Sequence, residues 1–263
     1  MVYLKTYFYV EHEIRWLELN LRESADHVDK FIICEFNVTH TGMPRKFIGI
    51  NKLLKNIENN ELKEKIIYLP LDISKVTVEA YNDENKIHQI NEPIMRSAFM
   101  KAHNFNDDDI IFSIDADEII YNHMYPELIE FISKHETCLL NLHQFFYKPT
   151  YLWENKDFIA PIGIKYKKFK DRYPCNLRYE GILFPKKAGC HFSWCMNVNE
   201  MLYKLDTYSH PRYRSLAKKN ILENAIKEKT YPFDPSVDFN IKEININSNL
   251  LPSSMRHFNN YEV

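Results

Sequence analysis

The chain has 263 residues, 45% of them hydrophobic and 27% charged, with a net charge of −2 at pH 7. That balance suits one large globular domain or two small ones with a full apolar core. It excludes a general pull toward nucleic acid or anionic membrane, and no run reaches the roughly 18 apolar residues of a membrane span.

The opening stretch MVYLKTYFYVEHE lacks a basic region followed by a long apolar one, so no signal peptide is expected. Cys34, Cys138, Cys175, Cys190 and Cys195 are odd in number, widely spaced and without a CxxC pair. They read as reduced thiols of a cytoplasmic protein, in a bacterial cell or a virus-infected host. The only dense basic run, KYKKFKDR at 165–172, is either a solvated strand or loop or a phosphate-binding patch.

Residues 2–10 are aromatic and branched, as in a strand. Ile14, Leu17, Leu21 and Val28 recur near helical spacing through 11–28. KFIICEF at 30–36 is a continuous apolar run, the pattern of a strand covered on both faces. A polar loop leads to a helix over 51–65 and a strand at 66–71. The stretch 84–104 is helical in its second half, with Pro93 near the start, and 109–117 is a fourth strand. This alternation predicts a parallel, doubly wound sheet. No GxGxxG is present, so the dinucleotide fingerprint is absent. After residue 120 the rhythm changes. A helix at 125–135 precedes long strands at 137–153 and 162–169, expected to be antiparallel. Strand and loop follow over 177–195, then helices at 198–205 and 214–229.

The stretch DDDIIFSIDADEII at 107–120 ends an apolar strand in Asp115, Asp117 and Glu118. Ligands of open parallel sheets bind beyond the carboxyl ends of the strands. On an extended strand Asp115 and Asp117 would face the same side. Two carboxylates together raise each other's pKa. A divalent cation with a taste for hard oxygen, Mn²⁺ or Mg²⁺, removes that conflict. The alternative is a solvated acidic turn. A D-x-D after a strand also suits a sugar-nucleotide transferase, where the metal neutralises the departing diphosphate.

Further stretches carry a resemblance. EHEIRWLELNLRESADHVDKFIICEFNVTHTG supplies Glu13, Arg22, Val28-Asp29, Phe31, Glu35 and Thr41-Gly42. DADEI, GCHFS at 189–193, Lys204-Leu205 and TYSH at 207–210 follow in order. Together these resemble glycosyltransferase family seventeen, the family of the β-1,4-mannosyl-glycoprotein β-1,4-N-acetylglucosaminyltransferase, over about residues 7–210. The resemblance implies a glycosyltransferase A fold, Rossmann-like, with a mostly parallel central sheet and a smaller antiparallel part. It implies one domain over 1–263, with a nucleotide-sugar-binding half at 1–120 and an acceptor-side half at 121–263. The reaction implied is metal-dependent, inverting transfer from a UDP-sugar, with N-acetylglucosamine as one donor sugar, to a glycan acceptor. Cys190 stands where the family has Trp, which shifts the expected stacking surface to Trp194. No anchor or stem is recognised, so a Golgi location is not implied.

On this footing Asp117 is the first metal ligand, and Asp115 touches the ribose or the metal through water. Glu118 orients the pair, or is an N-cap neighbour. His210 and His191 are third-ligand candidates or donors to the diphosphate, with a structural role as the alternative. Glu35 accepts from the uracil or ribose, or makes a loop ion pair. Arg96 faces the diphosphate, or pairs with Glu92 one turn earlier. Lys46 and Lys204 are phosphate candidates. The base that deprotonates the acceptor is sought in Glu180 or Glu200. Trp194 and Trp153 stack on sugars or pack in the core. Two rival readings stand beside the transferase. One is a non-catalytic glycan-binding protein on a transferase fold. The other is a metal-dependent phosphatase with Asp115 as nucleophile, which Ile119 disfavours because a Thr is usual there.

Overall fold

A computed structural model of the protein describes residues 1–170, 172 and 174–257, without the side chains of residues 174, 175 and 257. The Cys175 thiol and residue 171 of the basic run therefore lie outside the described residues.

The first half alternates as expected. Strands β1 (Val2–Phe8), β2 (Lys30–Phe36), β3 (Ile66–Leu71) and β4 (Ile110–Ser113) are all parallel, in the order β3-β2-β1-β4. Helices α1 (Ile14–Ser24), α2 (Asn51–Asn56), α3 (Asn60–Glu64), α4 (Glu84–Lys86), α5 (Glu92–Ser97) and α6 (Phe99–Ala102) fill the crossovers. Alternate residues of β1 serve opposite faces. Leu4 and Phe8 join the core cluster under α1, and Tyr3 and Tyr7 join the one under α5 and α6. A strand buried on both sides needs a continuous apolar run, which is how β2 reads.

The second half extends the same sheet with β5 (Glu118–Ile120), β6 (Thr137–Phe146), β7 (Tyr151–Lys165), β8 (Leu183–Ser193) and β9 (Ile241–Glu243). The order continues β4-β7-β6-β8-β5, with β9 on β7. β6 and β7 are antiparallel, while β6 and β8 run parallel. The remaining helices are α7 (Tyr125–His135), α8 (Tyr166–Phe169), α9 (Pro174–Leu177), α10 (Val198–Thr207) and α11 (Lys219–Glu228). A third, aromatic core cluster packs α10 and α11 against the ends of β6 and β7.

Four sequence expectations change. The run 137–153 is a hairpin: Tyr147 takes a left-handed φ of 67°, and Tyr151 N–H closes a turn on the Lys148 carbonyl at 2.9 Å. Helix 51–65 breaks at Asn59, whose side chain accepts from Leu62 N–H and caps α3. The helix around Pro93 begins earlier, at Glu84. A π-helical segment, Ile87–Asn91, lets Glu92 N–H reach back to the Ile87 carbonyl, so the ladder absorbs a proline that has no N–H of its own. The fourth strand stops at Ser113. A turn closed by Glu118 N–H on the Asp115 carbonyl at 3.1 Å then separates the two aspartates. They do not share the face that an extended strand would give them.

Two glycines are fixed by close approach. A Cβ on Gly189 would meet the Ile119 carbonyl of β5, and one on Gly42, at φ 79°, would meet the Val78 carbonyl. No described helix is long and apolar enough to cross a membrane.

Candidate active site

A cavity of about 940 Å³ opens beyond the carboxyl ends of β1, β2 and β4, a size suited to a small organic ligand. Its wall takes Tyr7, Tyr9 and Glu13 from β1 and the chain after it, and Thr39 and His40 from beyond β2. Asp115, Asp117 and Glu118 come from the turn after β4.

Asp115 is held by two guanidinium groups. Arg96 on α5 grips it with both terminal nitrogens, at 2.7 and 3.2 Å, and Arg178 adds a bond at 3.1 Å. Burial alone would raise the Asp115 carboxyl. Arg178 and Arg96 outweigh it and hold the group well below the carboxylate range. Glu118 is 1% exposed. Its Oε1 accepts from Arg178 at 2.6 Å and its Oε2 accepts from Asp115 N–H at 2.6 Å. Burial pushes it up to about 7 despite Arg178.

Asp117 differs. Among the described residues no donor bonds its carboxylate directly. His191 Nε2 lies 3.8 Å from Oδ1, and Lys204 Nζ lies 3.7 Å from Oδ2. The protonation of His191 follows from its neighbour. Gln144 donates its amide N–H to the Phe145 carbonyl at 3.0 Å, so its Oε1 faces His191 Nδ1 at 2.9 Å. Nδ1 must carry the proton, and Nε2 then turns a lone pair toward Asp117. Burial depresses His191 to about 4, so the ring is neutral at pH 7. Two acceptors facing each other across a short gap could hold a cation.

The structure brings Asp115, Asp117, Glu118, Arg96, His191, Trp194, Lys204 and His210 to one cavity. His210 Nδ1 is 2.9 Å from Glu84, not among the acids of the turn. Trp194 takes a left-handed φ of 59° where β8 ends, with its ring among Tyr208 and Phe233 and the Lys204 ammonium 5.1 Å above it. Trp153 is a core residue whose Nε1 donates to the Asp238 carbonyl. Cys190 points into the core, its thiol 3.2 Å from Tyr121 Oη, so an aromatic there would face the interior and not the cavity.

Four expected site residues lie off the cavity. Glu35 is fully buried and accepts from Arg45, the Ile48 and Gly49 amides and the Tyr68 hydroxyl, which fixes the loop after β2. Lys46 and Glu200 line a neighbouring cleft. Glu200 closes the capping box of α10 and pairs with Arg15 at 2.9 Å. Glu180 is exposed and pairs with Arg172.

Sequence reasoning missed Arg178 and His88 and gave Glu13 no role beyond the family pattern; Glu92 it named as the partner of Arg96, and the two do pair at 2.8 Å. Arg178 stands two residues before Glu180, in a segment whose turn only the fold reveals. Glu13 accepts from Tyr9 N–H at 2.7 Å, and burial pushes it up to about 7. For His88 the signal was in reach. Its i,i+4 spacing with Glu84 and Glu92, and that of Glu92 with Arg96, predicts a ladder of charges on one helix.

Residues 6–230 match the model of glycosyltransferase family 17. The chain belongs to that family. Its fold is of the glycosyltransferase A type expected from the sequence, a mixed α/β sheet whose strands β1 to β4 are parallel. No match was found among curated proteins. Solved structures that this family 17 chain resembles include S. aureus TarS 1–349, at 9% identity over 86% of this chain and 72% of that one, TM-score 0.37. Galactosyltransferase LgtC in complex with donor and acceptor sugar analogues matches at 8% identity over 81% of each chain, TM-score 0.34. An active-site mutant of LgtC matches at 9% over 81% of each, TM-score 0.39. Likeness at that distance carries nothing about the site.

Proposed function

We propose that the protein transfers a sugar from a UDP-sugar to a glycan acceptor with inversion, making a β-linkage with the help of Mn²⁺ or Mg²⁺. N-acetylglucosamine is the donor sugar that the family resemblance favours, and a microbial or viral surface glycan is the product class. The observation that carries this reading is the open Asp117 carboxylate facing the His191 Nε2 lone pair at the inner wall of the cavity.

Asp117 and His191 would hold the cation, which when bound neutralises negative charge on the departing diphosphate. Arg96 and Arg178 present guanidinium surfaces to the same cavity while holding Asp115 in place. Lys204 adds a mobile cation beside Asp117, able to turn to a phosphate. Tyr9 offers a ring beyond β1 for a nucleoside base, while the Tyr7 ring is already covered by Lys5 and Arg96. Phe158, its ring tilted at 33° to His191 with centroids 3.8 Å apart, and Trp194 offer apolar surface for sugar. Glu180 and Glu200 are both committed to ion pairs, which leaves Glu13 and Glu118 as the weakly acidic carboxyls of the cavity wall, Glu118 already bonded to Arg178. The phosphatase reading gains no support: the Asp115 oxygens it needs for nucleophilic attack are bonded to two arginines.

The test is release of UDP from a panel of UDP-sugars, with and without Mn²⁺. Turnover is expected to require the metal and to fall by about a hundredfold or more in Asp117→Asn. A chain that binds glycan but turns over no donor is a lectin on a transferase fold. Hydrolysis of an aryl phosphate without donor turnover would also sink the proposal.

A further inference from the structure

At the rim of the cavity a second set of ligand atoms converges. Glu84 opens α4, His88 stands one turn later in the π-helical segment, and His210 comes from the extended residue before Pro211. One ligand atom from each lies within 4.8 Å of the other two. His210 Nδ1 is 2.9 Å and His88 Nε2 is 3.6 Å from Glu84 Oε1, and the two rings stand 5.2 Å apart.

The far side of His88 decides what this cluster can do. Its Nδ1 is 2.8 Å from Glu92 Oε2. Glu92 Oε1 accepts from Arg96 Nε at 2.8 Å, so the carboxylate faces a donor on one oxygen and His88 on the other. A His88 ring that gives up one proton to a metal keeps the other on Nδ1, toward Glu92, and offers the lone pair of Nε2, the atom 3.6 Å from Glu84. A carboxylate behind a histidine, fixing its tautomer and raising its basicity, is the support that metal-binding histidines have. The π-helical segment, a feature that gathers at functional sites, sets His88 at this angle.

We propose that Glu84, His88 and His210 form a second metal site, for a borderline first-row cation of the Zn²⁺ class. Two imidazoles and one carboxylate with an open position suit that class, and a hard Mg²⁺ would not choose them. The one competing cation is Arg212, whose Nη1 is 3.6 Å from Glu84 and whose side chain is 60% exposed and free to swing away. Coordination would tie Tyr208–Tyr213, part of the cavity wall, to the helix that carries Arg96. The site does not depend on the transferase reading, because its ligands are separate from Asp117 and His191.

The experiment titrates the full chain, first stripped with a chelator, with Zn²⁺ by calorimetry and with Co²⁺ by visible ligand-field absorption. Asp117→Asn should keep the Zn²⁺ site. His88→Ala and His210→Ala should each weaken it by more than about tenfold, and Glu92→Gln by about tenfold to a hundredfold. X-ray absorption of the Zn²⁺-loaded unmodified chain should show imidazole nitrogens at about 2.0–2.1 Å. This reading needs no variant to fold. Zn²⁺ affinity unchanged in both histidine variants, or a zinc shell without imidazole, would overturn the proposal, as would loss of binding in Asp117→Asn.

Discussion

Arg178 is the residue on which the charge balance of the cavity turns, and Arg178→Ala tests it. Its guanidinium is 8% exposed and bridges Asp115 and Glu118. Without it Asp115 keeps both bonds to Arg96, but Glu118 keeps only the Asp115 amide. Breaking a buried pair by removing one partner costs about 3–5 kcal/mol. The lower end is expected, near 3 kcal/mol, because Glu118 can escape by taking a proton. The pH dependence carries the diagnosis. A carboxyl raised from 4.5 to about 7 in the folded state contributes stability that is fully present below 4.5 and lost as pH rises through 7. Removing Arg178 moves that window further up. The loss in urea unfolding should therefore be larger at about pH 8 than at about pH 5.5, and should shrink by more than about 1 kcal/mol in a Glu118→Gln background. A loss below about 1 kcal/mol, or one independent of pH and of Glu118, would refute the bridging role.

Two more outcomes follow from buried groups. Lys5 is fully buried, its ammonium has no hydrogen-bond partner among the described residues, and burial lowers it from 10.5 to about 8. The unfolded chain binds that proton more tightly, so stability rises with pH between about 8 and 10.5, by a total near 3 kcal/mol. Lys5→Met should raise the urea midpoint at pH 7, and an unchanged or lower midpoint would show the charge to be needed where it is. Gln144→Leu removes the acceptor that fixes the His191 tautomer. The Mn²⁺ concentration for half-maximal thermal stabilisation should then rise about tenfold to a hundredfold; an unchanged value would mean that Nε2 does not meet the metal.

The parallel half of the fold was legible because its central strands are buried on both faces, and so Phe31 to Cys34 reads as an unbroken apolar run. The antiparallel half was less so. The 137–153 run hides a reversal at Tyr147, a residue type that gives no turn signal, and β9 has three residues with no pattern at all. In the site, Asp115, Asp117 and Arg96 were found because their local sequence places them, at a strand end and on the helix before it, whereas His191 was found only through the family pattern GCHFS; it is the alternation of β8 that turns Cys190 inward and His191 outward. Glu35 shows the limit of the same reasoning. It does end a parallel strand, yet three donors from the following loop and the Tyr68 hydroxyl of β3 absorb it. Position at a strand end selects candidates; only the partners show whether a carboxylate is spent on structure or left for a ligand.

That distinction also explains how Asp115 and Asp117, two residues apart, can coexist. The chain does not set them side by side and wait for a cation to reconcile them. The turn after β4 separates them, two arginines from distant elements neutralise Asp115, and one of them, Arg178, also holds Glu118. The positive charge of Arg96 and Arg178 is thereby delivered to the cavity wall without being left unpaired in a buried place. Asp117 is the exception, with only a lone pair and a mobile lysine near it. A carboxylate left that way is stable enough because it keeps 17% of its side-chain surface exposed. It is also the place where an arriving cation gains most, since no existing hydrogen bond has to be broken to bind it.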